Sequence, residues 1–127
     1  MTMHRGEDPT GGPAPLGARG EQAAAAYLEG EGYQILYRNY RFGRGEIDLI
    51  AREGRTIVFV EVKTRSSNRY GEPEEAVTAG KVRRIRRIAS AFLAERRIGE
   101  CDCRFDVVAV MFEEGRASVR HTRDIYS

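Results

Sequence analysis

Asp48, Glu61 and Lys63 are two carboxylates and a lysine spaced along two apolar segments, GEIDLIAR and TIVFVEVK. The second belongs to IVFVEVKTR, residues 57–65, where Ile57, Val58, Phe59, Val60 and Val62 surround Glu61 and lead into Lys63. Side chains on a strand alternate faces, so Val58, Val60 and Val62 point one way and Ile57, Phe59, Glu61 and Lys63 the other. Both faces begin apolar, which marks an interior strand, and one becomes charged at its end. If REGR, or its central pair, forms the turn, Ile50 pairs with Ile57, Asp48 with Phe59 and Glu46 with Glu61. Asp48 then shares a face with Glu61 and Lys63, whereas an odd-length loop sends it to the opposite face.

Two neighbouring carboxylates repel each other and any phosphate, and they coexist at pH 7 only around a proton, a cation or a divalent metal. Hard carboxylate oxygens suit magnesium or manganese, and no histidine is placed to favour zinc. An ion held there binds a phosphodiester oxygen and acidifies a water, with Lys63 beside the water or the phosphate. Unactivated phosphate esters need a barrier reduction on the order of 20 kcal/mol, more than one lysine supplies, so the metal is essential to this reading. The plain alternative is that Glu61 and Lys63 form a same-face ion pair at a sheet edge and Asp48 ends a strand. Glu21, taken singly, reads as a solvated acid near a helix N-terminus.

Nineteen of the basic residues are arginine and only two, Lys63 and Lys81, are lysine. Only the ammonium is a compact charge that changes protonation readily, so a lysine at position 63 reads as a requirement. The net charge is +2, but KVRRIRR, residues 81–87, concentrates five cations without an acid. That local field suits a polyanion, while a merely solvated basic face is the ordinary reading of such a run. Without regular aromatic interleaving, it suggests contacts to a phosphate backbone. Lys81 lies near the helix start, where a cation calls for an anionic neighbour, either a phosphate or a site carboxylate. Arg84 and Arg87 continue the positive surface; Arg41, Arg44 and Arg65 form a second candidate surface.

Two cysteines, Cys101 and Cys103, and two distant histidines, His4 and His121, assemble neither a disulfide framework nor a four-ligand zinc site. The expectation is ordinary thiols in a reducing cytoplasm. The N-terminus has no apolar signal core, and no run of eighteen apolar residues occurs, so secretion and membrane spanning are not expected. A length of 127 residues fits one domain with a real core.

Residues 1–15 hold three of the four prolines and read as a disordered arm, leaving 16–127 as the folded domain. Leu16 to about Gly30 reads as a helix with Ala23, Ala26 and Tyr27 or Leu28 on its apolar stripe. YQILYRNYRF, GEIDLIAR, TIVFVEVK and CRFDVVAVMF read as strands, with ASVRHT as a short last one. Val82, Ile85, Ile88, Ala89, Phe92 and Leu93 recur at helical spacing, giving a long amphipathic helix, preceded by a short one that ends near Thr78. The order αβββαββ predicts an α/β fold with a central mixed sheet flanked by helices.

GEIDLIA, VFVEVKTR, YGEPEEAV, Lys81 and RFDVVAV, in this order and with GARGEQAA upstream, closely resemble the YraN-like (UPF0102) family of small bacterial proteins. That family belongs to the restriction-endonuclease-like PD-(D/E)xK nuclease superfamily. The resemblance runs from about Gly17 to Ile125. It implies a restriction-endonuclease-like fold, with Holliday-junction resolvases among the superfamily's members. It also implies Asp48 and Glu61 as metal ligands, Lys63 as the catalytic lysine and Glu21 as an acid brought by the first helix. Glu46 is an accessory acid or a structural residue, and Ile47 stands where the superfamily has a proline.

The reading is a magnesium- or manganese-dependent DNA endonuclease of repair or resolvase type, acting on branched or damaged DNA. A resolvase needs two sites about a two-fold axis, so a homodimer belongs to it. The alternatives are a nucleic-acid-binding protein that does not cut and an assembly module whose acid and lysine cluster is structural.

Overall fold

The computed structural model describes residues 15–66 and 79–125. The N-terminal arm up to residue 14, the YGEPEEAV segment and the short helix near Thr78 lie outside the described residues. The elements are α1 (Leu16–Gly30), β1 (Gln34–Phe42), β2 (Gly45–Glu53), β3 (Thr56–Arg65), α2 (Ala79–Glu95), β4 (Asp102–Glu113) and β5 (Arg116–Thr122). They form one mixed sheet in the spatial order β1-β2-β3-β4-β5. All neighbours are antiparallel except β3 and β4, which run parallel and are joined through α2. The αβββαββ order and the flanked mixed sheet are those expected from the sequence. No described helix is long and apolar enough to cross a membrane.

β3 is central and alternates between two cores. Val58 and Val60 pack with Ala24, Ala25 and Leu28 of α1, while Ile57 and Phe59 pack with Ile85, Ile88 and Phe92 of α2. One helix therefore covers each face. Phe59 and Phe92 meet edge to face at 6.1 Å, and each large side chain buried this way stabilises the fold by roughly 1.5–3 kcal/mol. The stripe of α1 differs from the sequence expectation. Ala26 is exposed, whereas Gly20, Ala24, Ala25 and Leu28 are buried. In so alanine-rich a helix, side-chain size marks no face, and the narrow Gly20 decides which side approaches the sheet.

The β2–β3 register also differs. Ile50 pairs with Phe59 and Arg52 with Ile57, two residues from the expected pairing. Glu53 pairs with Thr56, so Gly54 and Arg55 form the loop, and Gly54 takes a left-handed φ of 60° that suits glycine better than Glu53. Because the slip is even, the paired residues from Leu49 to Glu53 keep their faces.

Candidate active site

The charged end of β3 meets the first described turn of α2. Glu61 is bracketed by both lysines of the chain: Lys81 Nζ lies 2.6 Å from Oε1 and Lys63 Nζ 3.4 Å from Oε2. The side chains of all three are about one-fifth exposed, so their charges are poorly screened. Burial lowers the pKa of Lys63, and neighbouring Lys81 pushes the same way, while Glu61 opposes the shift. The carboxylate beside Lys81 is thus that of Glu61.

Asp48 reaches this cluster through a break in β2. Ile47 packs on the α2 side and Leu49 on the α1 side although they are two apart, so regular alternation fails at Asp48. The paired residues of β2 and β3 run only as far as Leu49–Val60. Beyond that point the Val62 amide donates to Asp48 Oδ2 at 2.8 Å. Burial raises the Asp48 pKa to about 6; the Val62 hydrogen bond opposes this, and the charges of Glu21, Glu61 and Glu46 add to it. Asp48, Phe59, Glu61 and Ile85 line one cleft of about 20 Å³, room for about one water.

Glu21 arrives because α1 lies unusually close to β3. A methyl group at Gly20 would overlap the Thr64 side chain, so only glycine permits this approach. Asn39, left-handed at φ 53° within β1, donates from Nδ2 to Glu21 Oε1 at 3.0 Å. The sequence reading missed both Gly20 and Asn39. An asparagine inside a strand pattern was the signal for the second, since it tolerates left-handed backbone better than most residues.

The oxygen donors of Asp48 and Glu61, crowded by Glu21, have the chemistry of a magnesium or manganese site. Glu61 would have to exchange at least one lysine contact for the ion. No group of three or more His, Cys, Asp or Glu side chains among the described residues is arranged to hold a metal. The rest of such a shell would be water and substrate oxygen, which is usual for magnesium.

Of the arginines singled out, Arg84 and Arg87 are exposed on α2, and Arg41 and Arg44 are exposed at the β1–β2 hairpin. Gly45 joins the two sets: a methyl there would overlap Ile88 and lie 3.5 Å from Arg84 Cδ. Arg41 Nε lies 3.9 Å from Glu46 Oε2, a distance that contributes little at an exposed site. Arg65 donates from Nη1 to the Thr64 carbonyl at 2.9 Å. Cys101 and Cys103 are free thiols with Sγ atoms 3.6 Å apart.

A second polar cluster was not anticipated. Asp106, buried within β4, accepts from Arg104 Nε at 3.0 Å and from the Asp124 amide at 3.0 Å, with His121 Nε2 at 2.7 Å. Tyr27 Oη lies 3.2 Å from His121 Nδ1. The ring is thus held between Asp106 at Nε2 and the Tyr27 hydroxyl at Nδ1. Burial alone would raise the Asp106 pKa, but the hydrogen bonds from His121, Asp124 and Arg104 outweigh it and the net shift is downward. The cluster ties α1, β4 and the end of β5 together. The acid between Phe105 and the apolar run VVAV was its sequence signal.

A mixed sheet covered on both faces, with acids and a lysine where β2 and β3 diverge, is consistent with a nuclease-like fold. The family model described as "Uncharacterised protein family UPF0102" matches residues 20–110. A UPF0102 protein of Chlorobium chlorochromatii is 50% identical over 125 residues, covering 94% of this chain and 96% of that protein. One from Symbiobacterium thermophilum is 58% identical over 95 residues, 75% of this chain and 80% of the relative. One from Geobacter metallireducens is 48% identical over 106 residues, 84% and 87% of the respective chains. The chain belongs to the UPF0102 family.

Proposed function

We propose that the protein is a metal-dependent DNA endonuclease that hydrolyses phosphodiester bonds in branched or damaged DNA. The observation that carries the reading is the meeting of Asp48, Glu61 and Lys63 in and beside one cleft, bordered by an arginine-rich helix. Asp48 and Glu61 would hold magnesium or manganese, which when bound supplies Lewis acidity toward the phosphate and its attacking water. Asp48, held by the Val62 amide, offers an oriented carboxylate. Lys63 holds positive charge beside the scissile phosphate, and its lowered pKa also lets it exchange a proton with water more readily than a free lysine. Lys81 and the α2 arginines hold the flanking backbone. We place the activity in the cytoplasm, where thiols such as Cys101 and Cys103 stay reduced. A homodimer would give the paired sites that junction resolution needs.

A second reading, DNA binding without cutting, has one observation in its favour: the two lysines neutralise Glu61 without any ion. Incubation with branched, flap, single-stranded and duplex DNA, with magnesium, manganese or chelator, separates the two. Metal-dependent cleavage of at least one substrate is the expected result. Binding without cleavage under every condition would favour the second reading.

A further inference from the structure

We infer that Phe42 is a base-stacking residue that selects DNA with unpaired bases beside the cleft. This inference rests on the protein being a DNA-binding one. Phe42 closes the β1–β2 hairpin, paired with Gly45 across a loop of Gly43 and Arg44. Its side chain is left 45% exposed. Exposure of a single aromatic residue is ordinary, and the surroundings decide its meaning. Arg41 precedes it with a side chain 78% exposed, and Arg44 follows, also exposed. Tyr40, two residues earlier on the same strand, packs edge to face on Phe92 of α2 at 5.2 Å. Alternation therefore puts Phe42 on the α2 side of the hairpin, toward the helix that carries Arg84 and Arg87.

The hairpin tip is also anchored and close to the candidate chemistry. Gly45 lies tight under Ile88 and beside Arg84, which sets the tip directly against α2. Asp48 follows Gly45 by three residues, about 10 Å along a strand. An aromatic ring among cations that track a backbone is the arrangement used for single-stranded nucleic acid. Every base offers a π face, so such a ring selects unpaired bases of any sequence. In a continuous duplex the bases are already stacked on each other. Phe42 should then discriminate flaps and junctions from plain duplex, and the arginines should bind both.

The test compares the wild type with Phe42→Ala and Phe42→Tyr in chelator, which prevents cutting. The probes are a flap DNA with 2-aminopurine in its unpaired strand next to the branch and a blunt duplex of the same length. Wild type should quench the probe. Phe42→Ala should lose the quenching and weaken flap binding roughly tenfold, the scale of one lost stack. Its duplex affinity should stay within about twofold, because the phosphate contacts remain. Phe42→Tyr should restore both flap signals. Equal quenching and affinity in Phe42→Ala and a binding-competent wild type would overturn the inference and leave the DNA-binding reading intact. A fall in molecular mass on Phe42→Ala, with equal losses on both DNAs, would overturn it in favour of a self-association contact. A wild type that binds neither DNA overturns both inference and reading. Matching melting temperatures check that Phe42→Ala, altered at an exposed tip, is folded.

Discussion

Lys81 of α2 closes on Glu61 of β3 at 2.6 Å, and Lys63 approaches the other oxygen of the same carboxylate at 3.4 Å. Glu61 thus joins the long basic helix to the strand that carries the candidate catalytic lysine. The contact also gives Lys81, a cation in the first described turn of α2, the anionic neighbour that the helix dipole favours there. In the proposed mechanism, any ion that binds Glu61 competes with these lysines.

Lys81→Met should therefore tighten manganese binding severalfold by releasing one oxygen of Glu61, while DNA binding weakens through the lost cation. Titration calorimetry with manganese, followed by DNA titration in chelator, measures both. Unchanged manganese affinity would mean that Glu61 takes no part in holding the ion.

Asp48 gives a pH signature in metal-free protein. Its folded pKa of about 6 is raised from an ordinary carboxylate value of 3.8, so the folded state binds the extra proton and stability falls as pH rises from about 4 to about 6. At pH 7.5 the ionised group costs the fold on the order of 2 kcal/mol, allowing for its partial exposure. Asp48→Asn should accordingly raise the melting temperature in chelator at pH 7.5, with the advantage vanishing near pH 4. A melting-temperature difference that is the same at both pH values would contradict the assignment.

Gly20→Ala should destabilise the fold by about 1–3 kcal/mol, because the methyl must displace Thr64 or push α1 away from β3. If the protein cuts DNA, the same change should reduce activity at temperatures where the variant is folded, since it moves Glu21. Urea unfolding gives the first number. A variant as stable as wild type would show that α1 does not sit this close.

Replacing Arg84 and Arg87 together should weaken DNA binding about equally across sequences and flatten the salt dependence by up to about two units of slope, one per lost phosphate contact. Affinity measured over a salt series reads this directly. An unchanged slope would move the binding surface to Arg41, Arg44 and Arg65.

The sequence was most legible where apolar periodicity is strong. The five strand segments and Ile85, Ile88, Ala89 and Phe92 of α2 all fall where their patterns place them. The stripe of α1 was not legible, because alanines on every side carry no size contrast. The slip of the β2–β3 register came from the choice of Gly54 as first loop residue, a matter of one backbone angle. At the site, the Glu61–Lys63 pairing follows from strand alternation, whereas Asp48 depends on a local break in it. The contacts of Asn39 with Glu21 and of Asp106 with His121 join residues far apart in the chain, which no local pattern encodes.

The most direct measurement is single-turnover cleavage of a branched DNA by wild type, Glu61→Gln and Lys63→Ala, with DNA affinity and melting temperature recorded for each. The account predicts cleavage by wild type with magnesium or manganese and none with chelator. It further predicts that Lys63→Ala loses cleavage with affinity almost intact, and that Glu61→Gln loses cleavage and metal binding together. Parallel loss of folding in both variants, or a wild type that binds this DNA and never cuts it, would contradict the account.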